Sequence, residues 1–487
     1  MDEHGFSLSE RQLRRWLVGN VSSLDGARPA NVRVAEQEFG WPIEALLAPD
    51  TRPAGGSRLP LQSTMVAELG TSEFISWVAS HSEIGYEDAY SLVSDAVVQI
   101  AATPQALRAA KEHARAEITR AQLADAISSY YGEPDRFYSA RLGRRLVRLS
   151  VLSVDDWVGL KVGLGGDNES CPPPRSVEEP ATRLTDSQAR AALDRLAVVE
   201  DAGTVLVNNP LYRLCSLEIE ASRLSAQFET TEFASYVLTA DLLEAELRGL
   251  VSGEVPREAT ASTPLRDAWL PTLADGLAFE DRLCAGGPVC LVAIADGEQY
   301  QLLVQERSRQ VLNVIGALSV VPKAFHQPTM DAYGETRIST TIERELEEEL
   351  LGRSDLEQLS AESMRRAAPL DPLNATAPMR WLRAHPQSWQ MECTGFGINM
   401  VSGNYEFSCL VAIHDPTWWS SYAHLLEANW EARRLHRYSS LDTDGIYHVF
   451  ADPRWSNEGL FAFIEGLRRL SELGSPLVRV PAIERIS

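Results

Sequence analysis

The sequence predicts a multidomain α/β chain. It divides into an N-terminal helical region, an α+β middle domain and a C-terminal α/β/α sandwich. Three observations lead there. At 487 residues the chain exceeds what one hydrophobic core serves, and about 100–200 residues per domain gives three or four units. Apolar residues recur at helical spacing through the first 131 residues and then switch to alternation near residue 137. Finally, the last 225 or so residues run strand, strand, strand, glutamate-rich helix, hairpin, helix, an order that mixes both element types in one module.

Residues 1–50 read as short helices. Ser9 caps a helix that carries Leu13, Trp16 and Leu17 on one face and ends at Gly19-Asn20. A second follows Pro29, with Val32, Ala35 and Phe39 inward and Gly40 as its stop. Residues 41–47 add a further turn. Residues 8–19, 33–36 and 39–49 together resemble part of a lambda-repressor-like helix-turn-helix, and more narrowly regulators common in actinobacteria. The resemblance implies that the first helix enters the major groove, with Arg11, Arg14 and Arg15 against phosphates. DNA is then an expected partner. Eight acidic side chains against five arginines in these fifty residues work against that contact.

Residues 51–60 (TRPAGGSRLP) form a linker by composition. Residues 61–131 then form a helical bundle. Phe74, Trp77 and Val78 make one buried stripe, Leu92, Val93, Ala96, Val97 and Ile100 another, and Pro104 opens a third helix. A packing or dimerisation role for this bundle makes the chain an expected homo-oligomer.

Residues 137–255 form the α+β middle domain. Residues 137–142, 146–152 and 157–162 alternate as strands, and residues 167–180 are a loop. Helices are expected over 186–200 and 231–250, with strands at 205–207 and 214–219 between them. Residues 208–213 read as a turn.

The module at 263–487 opens with a helix near 277–284. Strands at 289–294 and 300–305 are joined by a turn at Asp296-Gly297, and 318–321 is a third strand. Residues 391–399 and 405–413 form a long hairpin. Helices at 418–432 and 455–473 close the chain. Between strand three and the hairpin lies GETRISTTIERELEEELLG (334–352). Leu, Glu and Arg favour a continuous helix there, which gathers Glu345, Glu348 and Glu349 on one patch. Such a trio is tolerated in solvent, offset by Arg344 and Arg353, or bound to a hard cation such as Mg²⁺.

This core resembles the Nudix box, so the C-terminal module is expected to be a Nudix-like sandwich. The resemblance places Glu345, Glu348 and Glu349 at the metal-ligand positions and Arg344 at the structural arginine. It implies Mg²⁺ on a diphosphate, and a further carboxylate assisting water, for which Glu392 and Glu406 on the hairpin are the candidates alongside Glu348 and Glu349. The metal half of the motif is present; the substrate half is altered. Residues 321–325 stand where the family has Pro-Gly-Gly, and Lys323 and His326 there, with Arg344, are the candidate ligand-binding residues. Glu427 and Glu458 are further carboxylate candidates, and Trp418, Trp419, Trp430 and Trp455 are candidates to stack on a base.

Bulk properties limit the rest. A net charge of -23 opposes non-specific attraction to nucleic acid. There is no run of about 18 apolar residues, so no membrane span is expected. Six cysteines without a CxxC pair, and an acidic, polar start, point to a reduced cytoplasm. Three functions fit: a transcriptional regulator whose Nudix-like domain binds a nucleotide-type ligand, a Mg²⁺-dependent hydrolase of nucleoside diphosphate-linked compounds, or a non-catalytic interaction protein.

Overall fold

In the computed structural model, residues 62–104, 118–174, 183–202, 204, 206–220, 222–253, 263–307, 316–329, 331–351, 375–426, 432–473 and 476–486 are described. The expected helix-turn-helix with Arg11, Arg14 and Arg15, the linker, the helix expected after Pro104, and Glu427 and Trp430 lie outside them. Residues 67–487 form one compact unit.

Helices α1 (Gln62–Ser80), α2 (Tyr86–Ala102) and α3 (Arg120–Tyr131) come first. Thr119 and Gln122 start α3 with a reciprocal capping box that satisfies two orphan N–H groups. Strands β1 (Phe137–Leu142), β2 (Arg145–Leu152), β3 (Val158–Gly163) and β4 (Glu169–Ser170) follow. Next are α4 (Asp186–Asp201), β5 (Pro210–Glu220), β6 (Arg223–Glu232) and α5 (Ala240–Ser252). The carboxy-terminal part adds β7 (Gly286–Asp296), β8 (Gln299–Arg307), β9 (Leu318–Val320), α6 (Ile338–Glu345), α7 (Ala377–Ala384), β10 (Trp389–Asn399), β11 (Asn404–Ile413), α8 (Pro416–Tyr422), β12 (Ala432–Ser439), α9 (Thr443–Ala451), α10 (Asn457–Glu472) and β13 (Ile483–Ile486).

The large sheet runs β12-β8-β7-β11-β10-β2-β1-β13, with β3 also on β10 and β9 on β8. β7 and β11 are parallel; the hairpin neighbours are antiparallel. β4, β6 and β5 make a small second sheet. The division expected between 137–255 and 263–487 is crossed by the large sheet. β2 pairs with β10 at Ile398↔Leu152, and β3 pairs with β10 at Cys393↔Val162. Strand edges with unpaired peptide groups join wherever the pleats match, and sequence distance does not prevent it. Gly397 allows this approach, because a Cβ there would lie 2.4 Å from Val151 Cγ1.

Alternation sorts the sheet into two apolar faces. Cys290, Val292, Cys393, Phe396, Cys409 and Val411 pack with Ile338, Ile342, Leu346 and Leu350 of the box helix. Val289, Leu291, Leu302, Val304 and Leu410 pack with Leu460, Phe461, Ile464 and Leu467 of α10. The result is a mixed sheet with helices packed on both faces. A third apolar cluster joins α1, α2, α4 and α5 through Phe74, Val93, Leu193 and Leu242.

The local structure departs from the sequence reading at five places. Residues 211–213 lie inside β5, where Arg213 pairs with Glu229 in the interior, so the expected turn is strand. β6 and β12 lie almost wholly in stretches to which no element was assigned from the sequence. The helix expected over 418–432 ends at Tyr422. The helix near 277–284 lies earlier, at Leu273–Leu277.

Candidate functional site

The box helix is not one continuous α-helix. α6 ends at Glu345 and Leu346–Leu350 form a π turn. A π turn spends one extra residue per turn and recurs at functional sites. Here it keeps Leu346 and Leu350 in the core while Glu347, Glu348 and Glu349 are all buried beside them. Glu345 is 7% exposed, so the trio is held inside the protein rather than in solvent.

Glu345, Glu347 and Glu349 each accept hydrogen bonds within the chain. Arg344, itself 1% exposed, donates from Nε and Nη2 to Glu345 Oε1 at 3.2 and 2.9 Å, and from Nη1 to the Gln327 carbonyl at 2.9 Å. Glu349 accepts the Lys323 backbone N–H at 2.8 Å and the Gln305 amide at 3.2 Å. Glu347 accepts the Thr376 N–H through both oxygens, at 3.0 and 3.1 Å. The start of the box helix is held by Glu169 of β4, which accepts from Ser339 N, Ser339 Oγ and Gly165 N at 3.0, 2.7 and 2.8 Å. A buried carboxylate there complements the helix N-terminus. Replacing Glu169 with Ala strands these buried donors and is expected to cost about 2–3 kcal/mol, read as a fall in the urea midpoint at constant m-value.

The loop from β9 to α6 runs beside the first half of β7. Cys290 N donates to Pro322 O at 2.9 Å and His326 N to Gly286 O at 2.7 Å. Gly287 makes room, since a Cβ would lie 2.1 Å from the Ala324 carbonyl oxygen. His326 is fully buried between the rings of Tyr212 and Phe228. Its Nε2 donates to the Thr336 carbonyl at 2.9 Å, which leaves Nδ1 to accept from the Thr341 hydroxyl at 2.7 Å. Burial lowers its pKa to about 3, and Arg344 pushes the same way against the Thr336 carbonyl. This imidazole is neutral and engaged on both nitrogens. It braces the loop and is not placed to meet a phosphate.

Lys323 links the two faces of the sheet. Its backbone serves Glu349, while its ammonium pairs with Glu458 near the start of α10. Glu458 also accepts from the Asn399 amide at 3.1 Å. Burial alone would raise the Glu458 carboxyl, but the Lys323 ammonium brings it below the ordinary value.

Glu392 and Glu406 fall on this second face, away from the box. Glu392 stands opposite Leu410, a residue of the α10 core, and makes a two-pronged pair with Arg469 of α10. Glu406 stands two residues before Ser408 and four before Leu410 on the same strand parity. The structure therefore corrects the expectation that either joins the box acids. Burial raises Glu406 well above the ordinary carboxylate range; Glu458 and Glu244 add to the rise and Lys323 opposes it. A carboxyl raised on folding stabilises fully below its unfolded pKa and loses that contribution as pH climbs. Glu406→Gln should thus gain in melting temperature over the parent as pH rises from about 4.5 towards 8, a trend read by thermal melts across that range.

Trp418 and Trp455 are core residues, with indole N–H groups donated to Pro378 O and Val449 O. Neither is available to stack on a base. Trp419 is half-buried, with the Arg437 guanidinium 5.3 Å from its ring.

A Mg²⁺ ion on the box would share Glu349, whose two oxygens receive the Lys323 N–H and the Gln305 amide, and Glu345, whose Oε1 receives Arg344. Among the described residues, no cluster of three His, Cys, Asp or Glu side chains is disposed to hold a metal ion. Sequence reasoning missed Glu169, Gln305, Thr376 and Arg469. Glu169 sits in a stretch that read as loop, and the others carry no motif.

No family model matches the chain, and no curated protein matches it in sequence. Among the described residues, no helix is long and apolar enough to cross a membrane.

Proposed function

We propose that this chain is a regulator-like protein whose Nudix-like sandwich binds a nucleotide-type ligand without hydrolysing it. One observation supports the non-hydrolytic part: two of the three box acids are engaged in internal contacts, Glu345 with Arg344 and Glu349 with Lys323 and Gln305, and Glu347 beside them accepts from Thr376. The carboxylates that would assist water attack lie across the sheet, tied to Arg469 or held as a raised carboxyl. The ligand class and the DNA-facing role of residues 1–50 rest on the two sequence resemblances.

Thermal shift of the full chain against a panel of nucleotides and sugar nucleotides tests the ligand. A compound that binds only the folded state at about 100 times its Kd adds about 2.7 kcal/mol and raises the melting temperature. No shift with any member would leave the non-catalytic interaction protein as the reading. Retardation of DNA by the full chain, lost in Arg14→Glu/Arg15→Glu, tests the regulatory output.

A further inference from the structure

We infer that the outer edge of β12 docks an acidic, extended segment of another polypeptide, which adds a strand to the large sheet. β12 ends the sheet order and has β8 as its sheet neighbour among the described residues. In an antiparallel strand alternate residues turn their peptide groups away from the neighbour, so an edge strand offers a row of donors and acceptors. Added strands use that row for affinity and side chains for selection.

The side chains here select for negative charge. β12 reads Ala-Arg-Arg-Leu-His-Arg-Tyr-Ser, and Arg433, Arg434 and Arg437 are exposed. The acid beneath them, Glu306, is only 13% exposed and is shared among Arg433 at 3.3 Å, Arg454 at 3.6 Å and His436 at 3.7 Å. Asp452 is taken by Arg454 at 2.8 Å. Among the described residues around this edge, Arg433, Arg434, Arg437 and Arg454 thus outnumber Glu306 and Asp452, on a chain with 68 acidic and 45 basic side chains. Within β12 every charged side chain is basic, although the chain as a whole is acidic. Pairing of two β12 edges would set arginine against arginine, which like-charge repulsion across strands opposes, so a second copy of this edge is not the occupant. The Trp419 ring under Arg437 holds one guanidinium in place before a partner arrives.

The test is fluorescence anisotropy of the full chain with a labelled peptide of alternating Glu and Val, about ten residues long. Three comparison probes are used: the Lys-Val peptide, the Glu peptide with Pro at alternate positions, and a single-stranded oligonucleotide of similar length. Arg433→Glu/Arg437→Glu alters only exposed positions, and its circular dichroism and melting temperature verify folding. Arg190→Glu, on α4 away from this edge, controls for net charge. The expected result is binding of the Glu-Val peptide that weakens with salt, falls about tenfold or more in the double variant, holds in Arg190→Glu, and falls about tenfold with the proline peptide. No binding, equal binding by the double variant, or equal binding of the proline peptide would overturn the proposal. So would tighter binding of the oligonucleotide at this edge.

Discussion

Arg344→Met is expected to lower the unfolding free energy by about 3–5 kcal/mol, the usual cost of removing one partner of a buried ion pair. The guanidinium is 1% exposed and the Glu345 carboxylate beside it 7% exposed, so neither has water to replace the other. Arg344 also anchors the Gln327 carbonyl, which ties the loop to the box helix. Methionine fills a similar volume but supplies no donor, so Glu345 is left charged and buried or must take up a proton. Arg344→Lys keeps the charge without the planar fork and should fall between the two. Urea unfolding at neutral pH measures both. A loss below about 1 kcal/mol for Arg344→Met would show that the pair contributes little.

The second large effect is a pH dependence centred on His326. Its folded pKa of about 3 lies far below the ordinary 6.5. A base lowered on folding contributes stability that is present above its unfolded pKa and is lost as pH falls through the interval down to the folded value. The window is therefore pH 6.5 to about 3, and the full loss is roughly 4–5 kcal/mol, at order-of-magnitude precision. His326→Gln cannot take up that proton. The variant is expected to be less stable than the parent at pH 7, because the Thr336 and Thr341 contacts are disturbed, and to close that gap steadily towards pH 4. Denaturant midpoints across this range decide it. A gap that stays constant with pH would mean that His326 titrates normally.

The parts legible in the sequence were those with strong periodicity and clear stops. The β7–β8 turn at Gly297 and the β10–β11 hairpin with Gly403 lie where alternation and turn residues placed them, both glycines with positive φ. α10 follows from its Ser456 cap and apolar stripe. β12 was hidden because Arg-Arg-Leu-His-Arg carries no apolar alternation; an edge strand half in solvent does not need it. β6 alternates Leu224, Ala226 and Phe228 with Ser225 and Gln227, a short pattern cut off by the buried, charged Glu229.

The candidate site was legible only in part. That Glu345, Glu348 and Glu349 would share one patch follows from their spacing, but the π turn that buries Glu347 with them leaves no trace in composition. The face of Glu392 and Glu406 could not be read, since both faces of β10 and β11 are apolar and a register shift between Cys393 and Gly395 resets the alternation. Nor does any local pattern announce that Glu169, some 170 residues upstream, caps the box helix.

Product formation from nucleoside diphosphate-linked compounds in Mg²⁺, parent against Glu348→Gln, tests most directly whether the box acids serve structure and binding in place of hydrolysis. The account predicts product no higher in the parent than in the variant for every compound, including any that raises the melting temperature. Mg²⁺-dependent product in the parent that disappears in Glu348→Gln would contradict it.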